Sequence, residues 1–424
     1  MVENVIYYGP PGTGKTFIMQ SLQDKYLDFD IEDSHIVDVY QKTSNDWLLI
    51  TLLILQNDNK AQSMDIQSKV GELGITNLDS EVSTILELHS LEQQNSPFPP
   101  REPQIFIKRG NEWSVRLTNL LKYMPNIHEE YLPSDTYRER YKYVTFHQAF
   151  SYEDFIEGIR PVLNETITDD SNGMIKYKVV EGVFKQICEE AKQNPDKDYA
   201  LFIDEINRGN ISEIFGELIS LIEEDKRLGA NYPLEIVLPY SKKKFGVPSN
   251  LNIYGTMNSA DRSIALLDIA LRRRFKFIFM GCDLKALETT LIKRGLDPSN
   301  IGGIDLISML DTINKRIELL LDANFVIGHA FFINVTNFDE IKQVLVQKVI
   351  PLLQEYFFGE DEKVQMILGD LDASGELTEN AIYKHEILEA ENLITYLSEF
   401  NIEDKKRFSI SDTITVDSII KIYE

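Results

Sequence analysis

Val5-Ile6-Tyr7-Tyr8-Gly9-Pro10-Pro11-Gly12-Thr13-Gly14-Lys15-Thr16 stands at the head of the chain, and its reading decides the fold. An apolar run of strand character meets a Gly/Pro-rich turn, and a helical pattern follows over residues 15–26. Strand, glycine loop and helix in direct succession open an α/β domain built on a parallel sheet. Residues 9–16 also match the phosphate-loop pattern G-x-x-x-x-G-K-[ST] at every position. The glycines at 9, 12 and 14, with Pro10, Pro11 and Thr13 between them, let backbone N–H groups turn inward around phosphate oxygens. The helix N-terminus adds partial positive charge. Lys15 is the cation for the β and γ oxygens, and the Thr16 hydroxyl is a ligand for Mg²⁺.

Working outward, further buried-strand signals lie at 143–146, 199–203, 251–254 and 275–280. The third strand of the series runs Leu201-Phe202-Ile203 into Asp204-Glu205. An apolar strand ending in two acids puts one carboxylate in the Mg²⁺ shell and the next beside the attacking water, which assigns Asp204 to metal and Glu205 to water activation. Asn207 and Arg208 follow, as caps, as surface pairs or as contacts to a neighbouring subunit. A helix is expected over 211–222, where Ile211, Ile214, Phe215, Leu218, Ile219 and Ile222 fall at helical spacing, with Asn210 and Glu213 as its cap.

Gly255-Thr256-Met257-Asn258-Ser259-Ala260-Asp261-Arg262-Ser263 follows the 251–254 strand, at the carboxyl edge where parallel sheets bind ligands. Asn258 is placed to hold the water or the γ-phosphate. Asp261 and Arg262 either brace this loop or bridge subunits. Arg272-Arg273-Arg274 reads as a solvated helix end. In an oligomeric nucleoside triphosphatase, Arg273 and Arg274 are also candidate arginine fingers for the adjacent protomer.

Residues 31–139 interrupt this order and are too long for a loop, so they are expected to form an inserted domain. Helical signals at 46–55, 64–73 and 81–91 precede a hairpin of 105–107 and 113–117, turned at Arg109-Gly110-Asn111. Three helices and a hairpin is the order of a winged-helix domain. A second hairpin is expected over 162–184, turned by Asn172-Gly173. Helices at 306–321 and 338–357 follow, then an acidic tail over 359–424. The expected layout is a core in two parts, 1–30 and 140–285, the insert at 31–139, a helical lid at 286–360 and an extension at 361–424.

Composition bounds the function. Of 424 residues, 43 are Lys or Arg and 68 Asp or Glu, a net charge of −25. Such a field repels nucleic acid and anionic membrane, so DNA contact requires a local basic patch, a shielded pore or a partner. The insert supplies no obvious patch, since residues 46–116 hold ten acids and six bases. Two cysteines, Cys188 and Cys282, give neither a disulfide framework nor a zinc site, which fits a reduced, cytoplasmic compartment. The apolar run at 47–55 is too short to span a bilayer. No basic-then-apolar leader precedes the first motif, so export is not expected.

The phosphate loop, Asp204-Glu205-Ile206-Asn207-Arg208 and Met257-Asn258-Ser259-Ala260-Asp261-Arg262-Ser263 together resemble the McrB family, the AAA+ motors of modified-cytosine-directed restriction. The resemblance extends to Thr145-Phe146-His147-Gln148, 151–155, 271–275, Ile327-Gly328-His329, and 351–357, covering about 1–30 and 140–360. It implies a three-layer AAA+ core with a helical lid, a ring of probable sixfold symmetry with nucleotide between protomers, GTP in preference to ATP with Mg²⁺, and a separate McrC-like nuclease subunit acting on DNA. By the same resemblance Asn258 positions the catalytic water with Glu205, and Arg273 or Arg274 acts in trans. His329 lies where the lid approaches nucleotide, though an isolated histidine is more often structural. The family archetype carries a DNA-reading domain ahead of its motor, so either the 31–139 insert takes over recognition or another polypeptide supplies it. Two other readings stand beside this one: an ATP-driven protein remodeller, and a nucleotide-gated module whose insert recognises a partner.

Overall fold

A computed structural model of the chain describes residues 2–91, 99–132, 137–161, 176–261, 269–393 and 403–424. Its centre is a five-stranded sheet of β1 (Asn4–Gly9), β2 (Tyr141–Thr145), β3 (Tyr199–Asp204), β4 (Leu251–Asn258) and β5 (Lys276–Phe279), in the order β5-β1-β4-β3-β2. β3 runs parallel to both neighbours, with Ile203 opposite Gly255 and Asp204 opposite Thr145. Alanine, leucine, phenylalanine and isoleucine at 200–203 are fully buried, as a strand covered on both faces requires. This is the α/β AAA+ fold that the loop and strand order imply. The chain divides into two compact units, one of Met1–Ile6, Thr16–Thr256 and Ala265–Lys276, the other of Tyr7–Lys15, Met257–Ile264 and Phe277–Glu424.

Within the first unit, the insert leaves and returns through a neck. Leu27–Phe29 pairs antiparallel with Tyr137–Glu139, and Arg140 ties the neck by donating to Asp28 Oδ1 at 2.9 Å and to the Lys25 carbonyl at 3.2 Å. Between these strands one hydrophobic core gathers side chains from Leu27 to Leu132. The helix Asp46–Gln56 is buried on every side from Leu48 to Leu55, which explains its unbroken apolar run. Helices Ser63–Glu72 and Val82–Leu88 and the hairpin of Phe106–Arg109 with Glu112–Val115 lie close to their expected places. The sequence signals missed the helix Asp33–Thr43, whose stripe is only Ile36 and Val39, and the two-residue strand Ala61–Gln62, which makes the hairpin a three-stranded sheet.

The insert is also fastened to α1 (Lys15–Gln23), the helix that follows the phosphate loop. Arg116 donates to Ser21 Oγ at 2.5 Å and lies 6.0 Å from the Phe17 ring centre. Beside it, burial lifts the Asp24 carboxyl to about 7, against the opposing pull of the Arg116 charge. A carboxyl whose folded value lies above its unfolded one is favoured in its protonated form, so this contribution to stability is full below about pH 4 and is lost as pH rises to about 7. Asp24→Asn removes the charge that must be desolvated. It is expected to raise Tm at pH 8 by about 1–2 °C for each kcal/mol recovered, with little gain at pH 4. Equal Tm for the variant and wild type at pH 8 would show that Arg116 fully neutralises the carboxylate.

Three expectations in this unit differ from the structure. The helix at 211–222 is one turn and a half, Ile211–Phe215, because Gly216 takes φ 51° and breaks it into a 3₁₀ segment over Gly216–Ser220. Its expected cap does not form: the Asn210 side chain makes no capping bond, and its carbonyl receives the Glu213 N–H instead. The hairpin near 162–184 begins earlier, pairing Glu157–Pro161 with Tyr177–Glu181, and its Asn172-Gly173 turn lies outside the described residues.

In the second unit, helices Leu284–Lys293, Leu306–Leu320, Phe338–Val344 and Ile350–Tyr356 share one core. The Leu306 helix is capped by Asp305, which accepts from Ser308 N at 2.9 Å. The acidic tail joins this core. Val364, Ile367, Ile382, Ile419 and Ile422 are fully buried in it, and buried Asp370 accepts from Ile382 N and Tyr383 N at 2.8 Å while pairing with Lys421. Among the described residues, no helix is long and apolar enough to cross a membrane.

Candidate nucleotide-binding site

The phosphate loop follows β1 without an intervening residue and opens α1. Gly12 and Gly14 take φ of 74° and 85°, a region that side chains disfavour, so the loop turns as its glycines require. Thr13 is buried and donates to the Pro10 carbonyl at 2.9 Å, pinning the turn. Lys15 Nζ donates to the carbonyls of Gly9 at 2.9 Å and Pro10 at 2.6 Å, which holds the ammonium over the loop. A turn of the second unit closes on this loop. Ala330 N donates to the Gly12 carbonyl at 2.9 Å, and a Cβ on Gly328 would meet that carbonyl at 2.1 Å. A Cβ on Gly12 would in turn meet the Phe331 ring at 2.6 Å. Two glycines therefore permit a backbone-on-backbone contact between Ile327-Gly328-His329 and the loop.

In the first unit, Asp204 ends β3 and Glu205 turns off it with φ 52° and ψ 44°. A left-handed conformation at a residue with a side chain costs about 1–2 kcal/mol and persists only where neighbours impose it. Here Thr256 imposes it. Its Oγ1 accepts the Glu205 N–H at 3.2 Å and donates its own proton to Asp204 Oδ1. Tyr143 on β2 also bonds to Asp204, and burial, with that acceptor, pushes the phenol well above its ordinary value. Arg208 Nε donates to Glu205 Oε2 at 3.2 Å. Two acids, one fixed by a hydroxyl and a phenol and the other turned out on a left-handed residue, form a polarised pair suited to metal binding and water activation.

Asn258 closes β4 rather than following it, because the strand runs four residues beyond its apolar signal, to Leu251–Asn258. Its Oδ1 accepts from Ala260 N at 3.2 Å, and Ser259 N donates to the Gly9 carbonyl at 3.0 Å, which ties this segment to the phosphate loop. Asp261 is half-buried, and Arg262 lies outside the described residues.

The two arginines differ. Arg274 is buried, with Nη2 at 2.6 Å from Glu223 Oε1 and its carbonyl accepting from Asn4 Nδ2. Arg273 has a side chain 68% exposed and stands 3.8 Å from the same carboxylate. Arg274→Ala empties a buried position and leaves the part-exposed Glu223 without its main cation, and is expected to cost about 1–3 kcal/mol, read as a loss of Tm. Arg273→Ala is expected to change stability by less than about 0.5 kcal/mol. Matching Tm losses in the two variants would remove the distinction.

Residues 305–365 match the family model for the McrB alpha-helical lid domain, and residues 130–275 match that for the AAA domain of the dynein-related subfamily. Over 250 residues the chain is 38% identical to the type IV methyl-directed restriction enzyme EcoKMcrB subunit of Escherichia coli strain K12. Its AAA domain and helical lid are those of an McrB-type AAA+ subunit. That alignment covers 55% of the chain and 51% of the relative, so the chain spans about half the length of the E. coli McrB subunit. It is also 25% identical over 250 residues to the type II restriction enzyme BsuMI component YdiS of Bacillus subtilis strain 168, covering 53% of the chain and 72% of that protein. Three features of this candidate site were not read from sequence: the Thr256 bridge, the Tyr143 bond and the Gly12–Gly328 contact. Thr256 stood next to Met257-Asn258 as the one signal available.

Proposed function

We propose that this chain is a Mg²⁺-dependent nucleoside triphosphatase, GTP-preferring, that works as a ring-forming motor subunit of a restriction or anti-phage complex and drives a separate McrC-like nuclease subunit on DNA. The observation that carries the hydrolytic reading is the Asp204–Thr256–Glu205 arrangement, in which one hydroxyl bonds to both acids' residues and turns Glu205 out of the strand. The similarity to restriction-system subunits supports the biological setting.

In this reading Lys15 binds the β and γ oxygens, Glu205 takes a proton from the attacking water, Asn258 orients that water, and Asp261 and Arg262 brace the loop or bridge subunits. Mg²⁺ is held by few protein groups and several phosphate and water oxygens. The hard oxygens of Thr16 and Asp204 fit that demand, and among the described residues no cluster of three or more acid, histidine or cysteine ligands offers another metal site. When bound, the ion neutralises charge building on the β and γ oxygens. Exposed Arg273 is the finger reaching an adjacent protomer, while Arg274 holds Glu223. The insert, which runs helix–helix–strand–helix–helix–strand–strand–helix–helix between its neck strands and contains the element order of a winged-helix module within that series, serves partner or target recognition.

Steady-state hydrolysis of GTP and ATP, side by side with Mg²⁺ and with Glu205→Gln as the blank, tests the reading. GTP-selective turnover is expected. ATP-selective turnover would retain the catalytic residues and transfer the function to the protein-remodelling class.

A further inference from the structure

We infer that His329 reads the purine base, donating a hydrogen bond from Nε2 to O6 of guanine, and so sets the nucleotide preference of this site. The inference rests on the nucleotide-site reading above and adds the residue that selects the base.

The position follows from contacts within the second unit. The end of β1 and the phosphate loop are flanked on one side by Asn258 and Ser259, with Ser259 N on the Gly9 carbonyl. On the other side stands the segment after β5, where Met280 N donates to the Tyr8 carbonyl at 2.7 Å. If Asn258 serves the γ end of the triphosphate, the nucleoside end runs to the opposite flank. That flank is built from Gly281–Asp283 and the turn Gly328–Phe331, which meets the loop through Ala330 N and the Gly12 carbonyl. His329 is the side chain of this turn with a fixed hydrogen-bonding polarity.

The polarity comes from Asp283. Its backbone N–H donates to His329 Nδ1 at 3.1 Å, so Nδ1 is an acceptor and a neutral ring must carry its proton on Nε2. Partial burial holds the ring below the ordinary histidine value, which keeps it neutral near pH 7. Asp283 is itself fixed, capping the helix Leu284–Lys293 by accepting from Ala286 N at 2.9 Å. Among the described residues the Nε2–H has no protein acceptor. Guanine presents O6 and N7 as acceptors, whereas adenine presents the N6 amine, a donor, where guanine has O6. A donor locked by the backbone of Asp283 therefore pairs with guanine and opposes adenine donor to donor. A site built to hydrogen-bond one group rejects the analogue that lacks it far better than an apolar pocket does.

The test is equilibrium binding of fluorescently labelled GTP, ATP and ITP to the full chain, with Mg²⁺ and without turnover. The wild type is expected to bind GTP and ITP alike, since both carry O6, and to bind ATP roughly tenfold or more weaker. His329→Ala is expected to lose that preference, mainly through weaker GTP binding. His329→Gln, whose amide offers either a donor or an acceptor, is expected to bind both purines while keeping the wild-type Tm. An unchanged GTP-to-ATP ratio in both variants overturns the inference, as does a wild type that binds the two purines equally. A wild type that binds no nucleotide, with Lys15→Ala indistinguishable from it, overturns the nucleotide-site reading and this inference with it.

Discussion

Lys15→Ala is expected to abolish measurable nucleotide binding while leaving the protein folded. The ammonium spans two loop carbonyls, Gly9 and Pro10, and in the nucleotide complex it exchanges these for phosphate oxygens. Two charge-assisted bonds at about 1.5–3 kcal/mol each correspond to a loss of roughly two to four powers of ten in affinity. The loop itself does not depend on the lysine. Its turn is set by Gly12 and Gly14 and by the Thr13–Pro10 bond, so the Tm of the variant is expected to stay near that of the wild type. Titration with a labelled nucleotide, alongside thermal unfolding, separates the two effects. Affinity retained within tenfold would remove the phosphate loop from the account.

Glu205→Gln is expected to do the reverse, binding nucleotide normally and turning it over slowly. Glutamine keeps the size of the side chain and an acceptor for Arg208, and it occupies the left-handed backbone position as readily as glutamate does. What it loses is the capacity to take a proton. General-base removal costs about 10²–10⁴ in rate, and single-turnover hydrolysis at saturating nucleotide reads that loss directly. The broken ion pair with Arg208 is partly exposed and contributes little to stability, so folding is not a confounding factor. A wild-type rate in this variant would place the base elsewhere.

The parts of the site legible in the sequence are those whose chemistry fixes residue type and order together. A phosphate loop must have glycines at backbone-determined positions and a lysine after them, and it must lie between a strand and a helix. Asp204 and Glu205 were legible only beside that loop, because an apolar run ending in two acids is by itself usually a strand end meeting solvent. The roles of the arginine pair were not. Arg273 and Arg274 are chemically identical neighbours, and only the fold buries one against Glu223 and exposes the other. Thr256 was equally silent, since a threonine in a strand is commonplace until the adjacent strand brings Asp204 and Glu205 within reach of its hydroxyl. The acidic tail misled for a related reason. Its charge suggests a solvated appendage, yet Ile382 is buried in the same core as Ile419 and Ile422, 37 or more positions further on, a common burial that shows only in three dimensions.

By itself the sequence determined the α/β AAA+ class, the loop and acid pair of the candidate site, and the existence of an insert after α1. Each depends on local periodicity or on contiguous residues, which the chain carries wherever it goes. The tertiary structure alone decided the neck between Leu27–Phe29 and Tyr137–Glu139, the left-handed turn at Glu205, the Gly12–Gly328 contact and the protonated nitrogen of His329. These join residues from 46 to more than 300 positions apart, and their partners are selected by packing and by the need to satisfy buried polar groups, neither of which is written in any one segment.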